Sequence, residues 1–252
     1  MPNVLVEAKN RTTILPLNRP ERRNALTIEL MTELTEAVGQ ASADENMRVL
    51  ILRGAGKAFC AGLDLNETTI TERAHQSAEL IAKTLLALSQ TRLITIAQIH
   101  GAAVAGGAGL MSTCDFVVAT ERTKIGYPEA RRGLVAGLVM TFLRRQLRER
   151  DIRELLFTGD LITAERAREM GLVNRVVSPN ELENETEKLV ASILQNAPGA
   201  LASSKRLLEE LWSTSVQEDV DAALQHHMEA RGSVEAQEGI AAFLEKRAPN
   251  WV

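Results

Sequence analysis

The chain has 252 residues, of which 45 % are hydrophobic and 25 % charged, proportions that suit a globular protein with one substantial core. Lys and Arg total 29 against 33 Asp and Glu, a formal charge of −4, so no general attraction to nucleic acid is implied and an anionic ligand needs local basic groups. The two cysteines, Cys60 and Cys114, are too few for a disulfide framework and are expected as reduced, buried thiols. Met1-Pro2-Asn3-Val4 lacks a basic stretch leading into an apolar one, and no run approaches a membrane-spanning length, so a cytoplasmic location away from any membrane is expected.

In chain order, residues 4–9 alternate apolar and polar side chains, and residues 12–17 form a second run after Asn10-Arg11. Together they predict a β-hairpin. Asn18-Arg19-Pro20 breaks the chain. From Ile28, Leu30, Leu34, Val38 and Ala41 recur at helical spacing, predicting an amphipathic helix capped by Thr27. Val49-Leu50-Ile51-Leu52 and residues 93–99 are continuous apolar runs, as strands buried on both faces require, and residues 78–88 between them read as helix. Strand, helix, strand in that order predicts βαβ units and a mainly parallel sheet. Phe116-Val117-Val118-Ala119 adds a strand and Arg175-Val176-Val177 a short one. Residues 182–195, 200–212, 216–230 and 234–247 read as helices. The expected organisation is a core domain, residues 1–195, followed by a helical segment, residues 196–252.

Two small-residue segments, Lys57-Ala58-Phe59-Cys60-Ala61-Gly62-Leu63-Asp64-Leu65 and Gly101-Ala102-Ala103-Val104-Ala105-Gly106-Gly107-Ala108-Gly109-Leu110, each follow a core strand. The second is expected to run straight from its strand into a short helix, leaving amides near Gly106 unpaired and aimed outward. Small side chains let a ligand reach those amides; equally, glycines there serve a tight turn. Gly101 and Gly106 partly match a phosphate-binding loop, but Gly107 and Ala108 stand where that motif requires Lys and then Ser or Thr. His75, His226 and His227 fall in polar helical stretches and His100 ends a strand; no ligand spacing suggests a metal, and none looks catalytic.

Ala58-Phe59-Cys60-Ala61-Gly62-Leu63-Asp64-Leu65, His100-Gly101, Ala105-Gly106-Gly107-Ala108-Gly109-Leu110, Cys114-Asp115, Ile125-Gly126-Tyr127-Pro128-Glu129 and Gly133-Leu134, in that order and spacing, resemble the crotonase family of enoyl-CoA hydratases and isomerases. Thr158-Gly159-Asp160, Gly171-Leu172-Val173 and Phe243-Leu244-Glu245-Lys246-Arg247 extend the resemblance over nearly the whole chain. It implies an α/β crotonase (ClpP/crotonase-like) fold of repeated ββα and βαβ units with a helical C-terminal segment that helps build a homotrimer or a dimer of trimers. The substrate it implies is an acyl-CoA thioester, with no cofactor beyond the coenzyme A that the substrate carries. Carried over, the two oxyanion-hole amides fall on Ala61 and Gly106. Contacts to coenzyme A fall on Arg22, Ala25, Leu26, Ala61, Leu63 and Leu65, with Lys246 reaching in from a neighbouring subunit. The acyl tail is expected against residues 70–86 and 134–143.

Family hydratases commonly use two glutamates. Here Glu129 matches the second, and the first falls on Gly109, which has no side chain. A lone carboxylate still suffices to take a proton beside the thioester and return it two carbons along, so the pattern leans toward 3-enoyl to 2-enoyl isomerisation. Hydration with one glutamate and a non-catalytic acyl-CoA binder are the alternatives. Asp64, Glu67, Glu72 and Tyr127 are candidate replacements, although Asp64 reads first as a cap for nearby amides. Taken alone, Glu129 beside Arg131 and Arg132 reads as a surface ion pair.

Overall fold

A computed structural model describes residues 1–69 and 71–251, with side chains except those at 68, 69, 71 and 72. Ile70 and the side chain of Glu72, both assigned roles from the sequence, lie outside the described residues. The expected hairpin opens the chain: β1 (Glu7–Lys9) pairs antiparallel with β2 (Thr12–Leu17), and Asn10 and Arg11 take φ of 48° and 61° in its two-residue turn. α1 (Ile28–Ala43) follows, with the Thr27 hydroxyl accepting from the Leu30 amide as anticipated.

β3 (Val49–Gly54), α2 (Thr71–Gln90) and β4 (Ile94–Ile99) form the predicted βαβ unit. Then come β5 (Ala102–Val104), α3 (Gly106–Ser112), β6 (Phe116–Thr120), β7 (Lys124–Gly126), α4 (Gly137–Leu143), α5 (Glu149–Thr158), β8 (Ile162–Thr163), α6 (Ala164–Met170) and β9 (Arg175–Val177). The main sheet has six strands in the order β1-β2-β3-β4-β6-β9, parallel from β2 onward. Its side chains alternate between two apolar layers: Leu50 and Leu52 join the large core with α1 and α2, while Val49 and Ile51 join Leu189 and Ile193 of α7 (Leu182–Leu194). Burial on both faces is why these strands read as unbroken apolar runs.

The second small-residue segment does not pass straight from strand to helix. Ala102–Val104 pairs with β7, and β7 with β8, in a separate three-stranded sheet. α8 (Pro198–Glu210), α9 (Val216–Arg231) and α10 (Val234–Glu245) complete the chain. α9 packs on α4 and α2 and adds Val216 and Val220 to the large core. Among the described residues no helix is long and apolar enough to cross a membrane.

α10 lies against the 3-10 turn Pro128–Arg132 with almost no separation. A Cβ on Gly239 would stand 2.4 Å from the Arg132 carbonyl carbon, and one on Gly133 2.4 Å from that of Glu235. Gly239→Ala is therefore expected to lower stability by about 1–3 kcal/mol through overpacking. Chemical denaturation measures this, and an unchanged midpoint would contradict the close approach.

Candidate active site

Residues 58–65 are shared between two neighbours, and their amides alternate between them. Cys60 faces β5: its amide donates to Ala102 and its carbonyl accepts from Val104, both at 3.0 Å. Ala61 faces the other way and donates to the Arg23 carbonyl at 3.0 Å. Gly62 (φ 93°) then accepts from Leu26 at 2.8 Å and Asp64 donates to Leu26 at 2.9 Å. A residue flanked by two such bonds turns its own N–H to the opposite side, and the Leu63 amide makes no hydrogen bond. The Gly106 amide, at the start of α3, makes none either. The Leu63 nitrogen stands 3.8 Å from where a Cβ on Gly106 would lie.

The resemblance puts the first oxyanion amide on Ala61, whereas the unbonded amide of the segment lies two residues further on. Ala61 is in the right segment, but its N–H is consumed by Arg23; the unbonded amide belongs to Leu63, which the sequence suggested only as a coenzyme A contact. Ala105, before Gly106, has φ 50° and ψ −125°, a backbone that L side chains rarely adopt. It is held there by its amide donating to Gly126 (2.8 Å) and its carbonyl accepting from Gly109 (2.9 Å).

Leu63 and Gly106 border a cavity of about 90 Å³, together with Ala61, Leu65, Ile81, Leu134, Leu138 and Val139. Glu129 enters it from the 3-10 turn. Its Oε2 is fully buried without a hydrogen-bond partner. Burial pushes its pKa up to about 7, while a hydrogen bond from its own backbone and the charge of Arg132 pull it down. The surface ion pair does not form: Arg131 pairs with Asp160, and Arg132 lies over the Phe243 ring at 4.2 Å. At Gly109 there is no room for a carboxylate, since a Cβ would stand 2.7 Å from Val139 Cγ1 and 3.6 Å from Leu85 Cδ2.

No described candidate replaces the missing acid. Asp64 accepts from the Asn66 amide and pairs with Arg19 at 3.4 Å, and Glu67 caps α1 by accepting from the Ile28 amide at 2.8 Å. Tyr127 is buried away from the cavity against Ser112 and the Ala108 carbonyl. Of the proposed coenzyme A contacts, Leu63 and Leu65 line the cavity and Leu26 packs on Gly106; Arg22 is exposed, Ala25 is half-buried behind Leu26, and Lys246 is exposed at the end of α10. His227, set aside in the sequence as a polar helix position, is buried and lines the cavity with Arg132. Nothing in the local pattern of α9 marks it.

Asn24, fully buried with φ 55°, ties the turn that begins at Arg19 to the first small-residue segment. Its Nδ2 donates to the carbonyls of Ala55, Ala58 and Phe59, its Oδ1 accepts from the Arg19 amide, and its own carbonyl accepts from the Cys60 thiol. Cys60 and Cys114 are free and buried as expected, and burial pushes both thiols up to about 12.

The family model for enoyl-CoA hydratase/isomerase matches residues 7–252. A Thermus thermophilus protein that carries an enoyl-CoA hydratase name is 36 % identical, with 96 % of this chain and 98 % of that one covered. The crotonyl-CoA hydratase of Syntrophomonas wolfei is 33 % identical, covering 99 % and 98 %. The crystal structure of an enoyl-CoA hydratase from Mycobacterium avium superposes with a TM-score of 0.87 at 32 % identity, covering 99 % of each chain.

Asn24→Ala strands three carbonyls and an amide in the interior, which is expected to cost about 2 kcal/mol or more. Thermal or denaturant unfolding measures this; a loss within a few tenths of a kcal/mol would show that the clamp is dispensable.

Proposed function

Since the chain belongs to the enoyl-CoA hydratase/isomerase family, we propose that it acts on an acyl-CoA thioester whose carbonyl oxygen accepts from the Leu63 and Gly106 amides while Glu129 moves the proton. The observation that carries this reading is Glu129 Oε2, buried and unpartnered in the cavity that both unbonded amides border. The carboxylate removes a proton from the carbon between the thioester and a 3,4 double bond. The electrons pass to the oxygen as a dienolate, and the proton returns two carbons along, leaving the conjugated 2-enoyl thioester. Atoms balance with no other reagent, and coenzyme A enters as part of the substrate. Each preorganised amide is worth about two to three powers of ten in rate.

Isomerisation is favoured over hydration because Val139 fills the place at Gly109 where a second carboxylate would hold water. Hydration by Glu129 alone is the second reading, and the hydratase names of the relatives favour it. Arg22, Ala25, Leu26 and Leu65 lie on the segments assigned to the coenzyme A moiety, with Lys246 offered across a subunit boundary. Exposed Leu207, Leu208, Leu211 and Trp212 at and beyond the end of α8 fit assembly into a homotrimer or a dimer of trimers.

Incubation with 3-enoyl-CoA should yield a product of unchanged mass with the absorbance of a conjugated thioester. A product one water heavier from 2-enoyl-CoA would instead establish the hydratase, and no change in either would leave a binder only. Glu129→Gln should lower turnover by about 10²–10⁴-fold while acyl-CoA binding persists; undiminished turnover refutes the role of Glu129. As the active form is the carboxylate, kcat/KM should fall as pH drops below about 7. The linkage to stability has the opposite sense: the folded state binds this proton more tightly than the unfolded chain, whose value is 4.5, so its contribution is full below 4.5 and is lost as pH rises through about 7. A rate profile flat from pH 5 to about 8 would contradict the assignment.

A further inference from the structure

The direction of the Leu63 N–H is set by one short bridge between Leu26 and Leu63. Two hydrogen bonds make it: Leu26 donates to Gly62 at 2.8 Å, and Asp64 donates to Leu26 at 2.9 Å. Directly after Asp64 the chain leaves the bridge for a 3-10 turn, Leu65–Thr69. A strand pairing this short holds its own geometry weakly, yet a donor to a developing oxyanion acts through a fixed direction. The bridge therefore needs support from outside it.

Arg19 supplies it. Its Nη1 donates to the Ala25 carbonyl at 2.6 Å, and Nη1 and Nη2 lie 3.4 and 3.5 Å from Asp64 Oδ2. Ala25 precedes Leu26 and Asp64 follows Leu63, so one guanidinium joins both strands of the bridge. The other Asp64 oxygen accepts from the Asn66 amide and side chain, at 3.3 and 3.0 Å, which fixes the carboxylate in place. Along its own backbone, Arg19 exchanges two 2.9 Å bonds with Asn24: its amide donates to Asn24 Oδ1, and its carbonyl accepts from the Asn24 amide. Asn24 in turn holds the carbonyls of Ala58 and Phe59. Residues 58–64 are thus gripped at both ends from Arg19. The Arg19 and Asp64 side chains keep 18 % and 14 % of their surface, so salt and water screen the pair little. Neither residue lines the cavity.

We propose that Arg19 is a positioning residue for the reaction: through Ala25 and Asp64 its guanidinium keeps the Leu26–Leu63 bridge in register and the Leu63 N–H aimed at the thioester oxygen. The inference rests on the acyl-CoA reading above and adds to it the group that orients one of the two donors. Arg19 touches no reacting atom. Its planar fork serves a carbonyl and a carboxylate at once, whereas a single ammonium serves one of them well. Losing the brace loosens the aim of the Leu63 amide without removing it. The Gly106 amide is held separately, through the bonds of Ala105 to Gly126 and Gly109.

Saturated butyryl-CoA, carbon-13 labelled at the thioester carbonyl, reads the donor geometry by its infrared stretch when bound. In the unaltered protein the stretch is expected below its frequency in water. Arg19→Met should return it about half of the way, since one of two donors loses its aim, and Arg19→Lys should fall between the two. Asp64→Asn keeps the shape and the bonds to Asn66 but drops the charge, and should shift the stretch in the same direction; it reads the brace from its other end if Arg19→Met does not fold. For whichever enoyl-CoA the protein converts, kcat in Arg19→Met should fall about tenfold or more while KM changes less than about threefold. A purely structural arginine would lower the unfolding midpoint and leave the bound stretch where it was. That result in folded Arg19→Met or Asp64→Asn protein overturns the proposal, as does an unchanged kcat. If the unaltered protein binds no butyryl-CoA, or binds it without displacing the stretch, the acyl-CoA reading falls and the proposal with it. A displacement that Arg19→Met reverses, with no enoyl-CoA converted, faults the assigned reaction alone.

Discussion

A backbone N–H can point to only one side of its strand, and those of residues 58–65 are divided between two neighbours. Cys60 is held by β5, Ala61 by Arg23, and Gly62 and Asp64 by Leu26. That alternation leaves Leu63 bonded to neither side, with its N–H turned toward the start of α3. The strained Ala105 backbone, itself pinned by Gly126 and Gly109, leaves the Gly106 amide in a matching position. Unpaired buried amides are costly unless something accepts from them, so a cavity bordered by two of them is poised for an oxygen that gains negative charge.

The carboxylate across the cavity depends on a second packing constraint. Glycine at 133 and 239 lets α10 touch the backbone of the turn that carries Glu129, and Phe243 of the same helix covers Arg132. The turn is thus held between the core and the C-terminal helices. Water is kept from Oε2, and burial outweighs the pull of the Arg132 charge on its proton affinity. The helical segment therefore does more than close the fold: α9 and α10 supply His227 and Phe243 to the cavity wall.

Much of this architecture was legible in the sequence. Strands β3 and β4 stand out because both of their faces are buried, and α1 because one of its faces is. Strands β5, β7 and β8 span three residues or fewer, too short to show a period, so the small sheet beneath the second segment was invisible. The resemblance points to the segment that holds an unbonded amide but to Ala61, while the unbonded amide is that of Leu63, because the direction of an N–H depends on the register with Leu26, which residue types do not record. Val139 filling the space at Gly109, and a buried histidine on a helix that reads as polar, are contacts across the fold; no local pattern carries them.

In the proposed reaction two main-chain amides polarise one thioester carbonyl. Infrared difference spectroscopy of a bound acyl-CoA, carbon-13 labelled at that carbonyl, tests it without relying on turnover. Two strong donors would weaken the C=O bond and move its stretch below the frequency of the same ester in water. A stretch at or above the aqueous value would mean that the oxygen sits among apolar groups and that the two amides do not hold it.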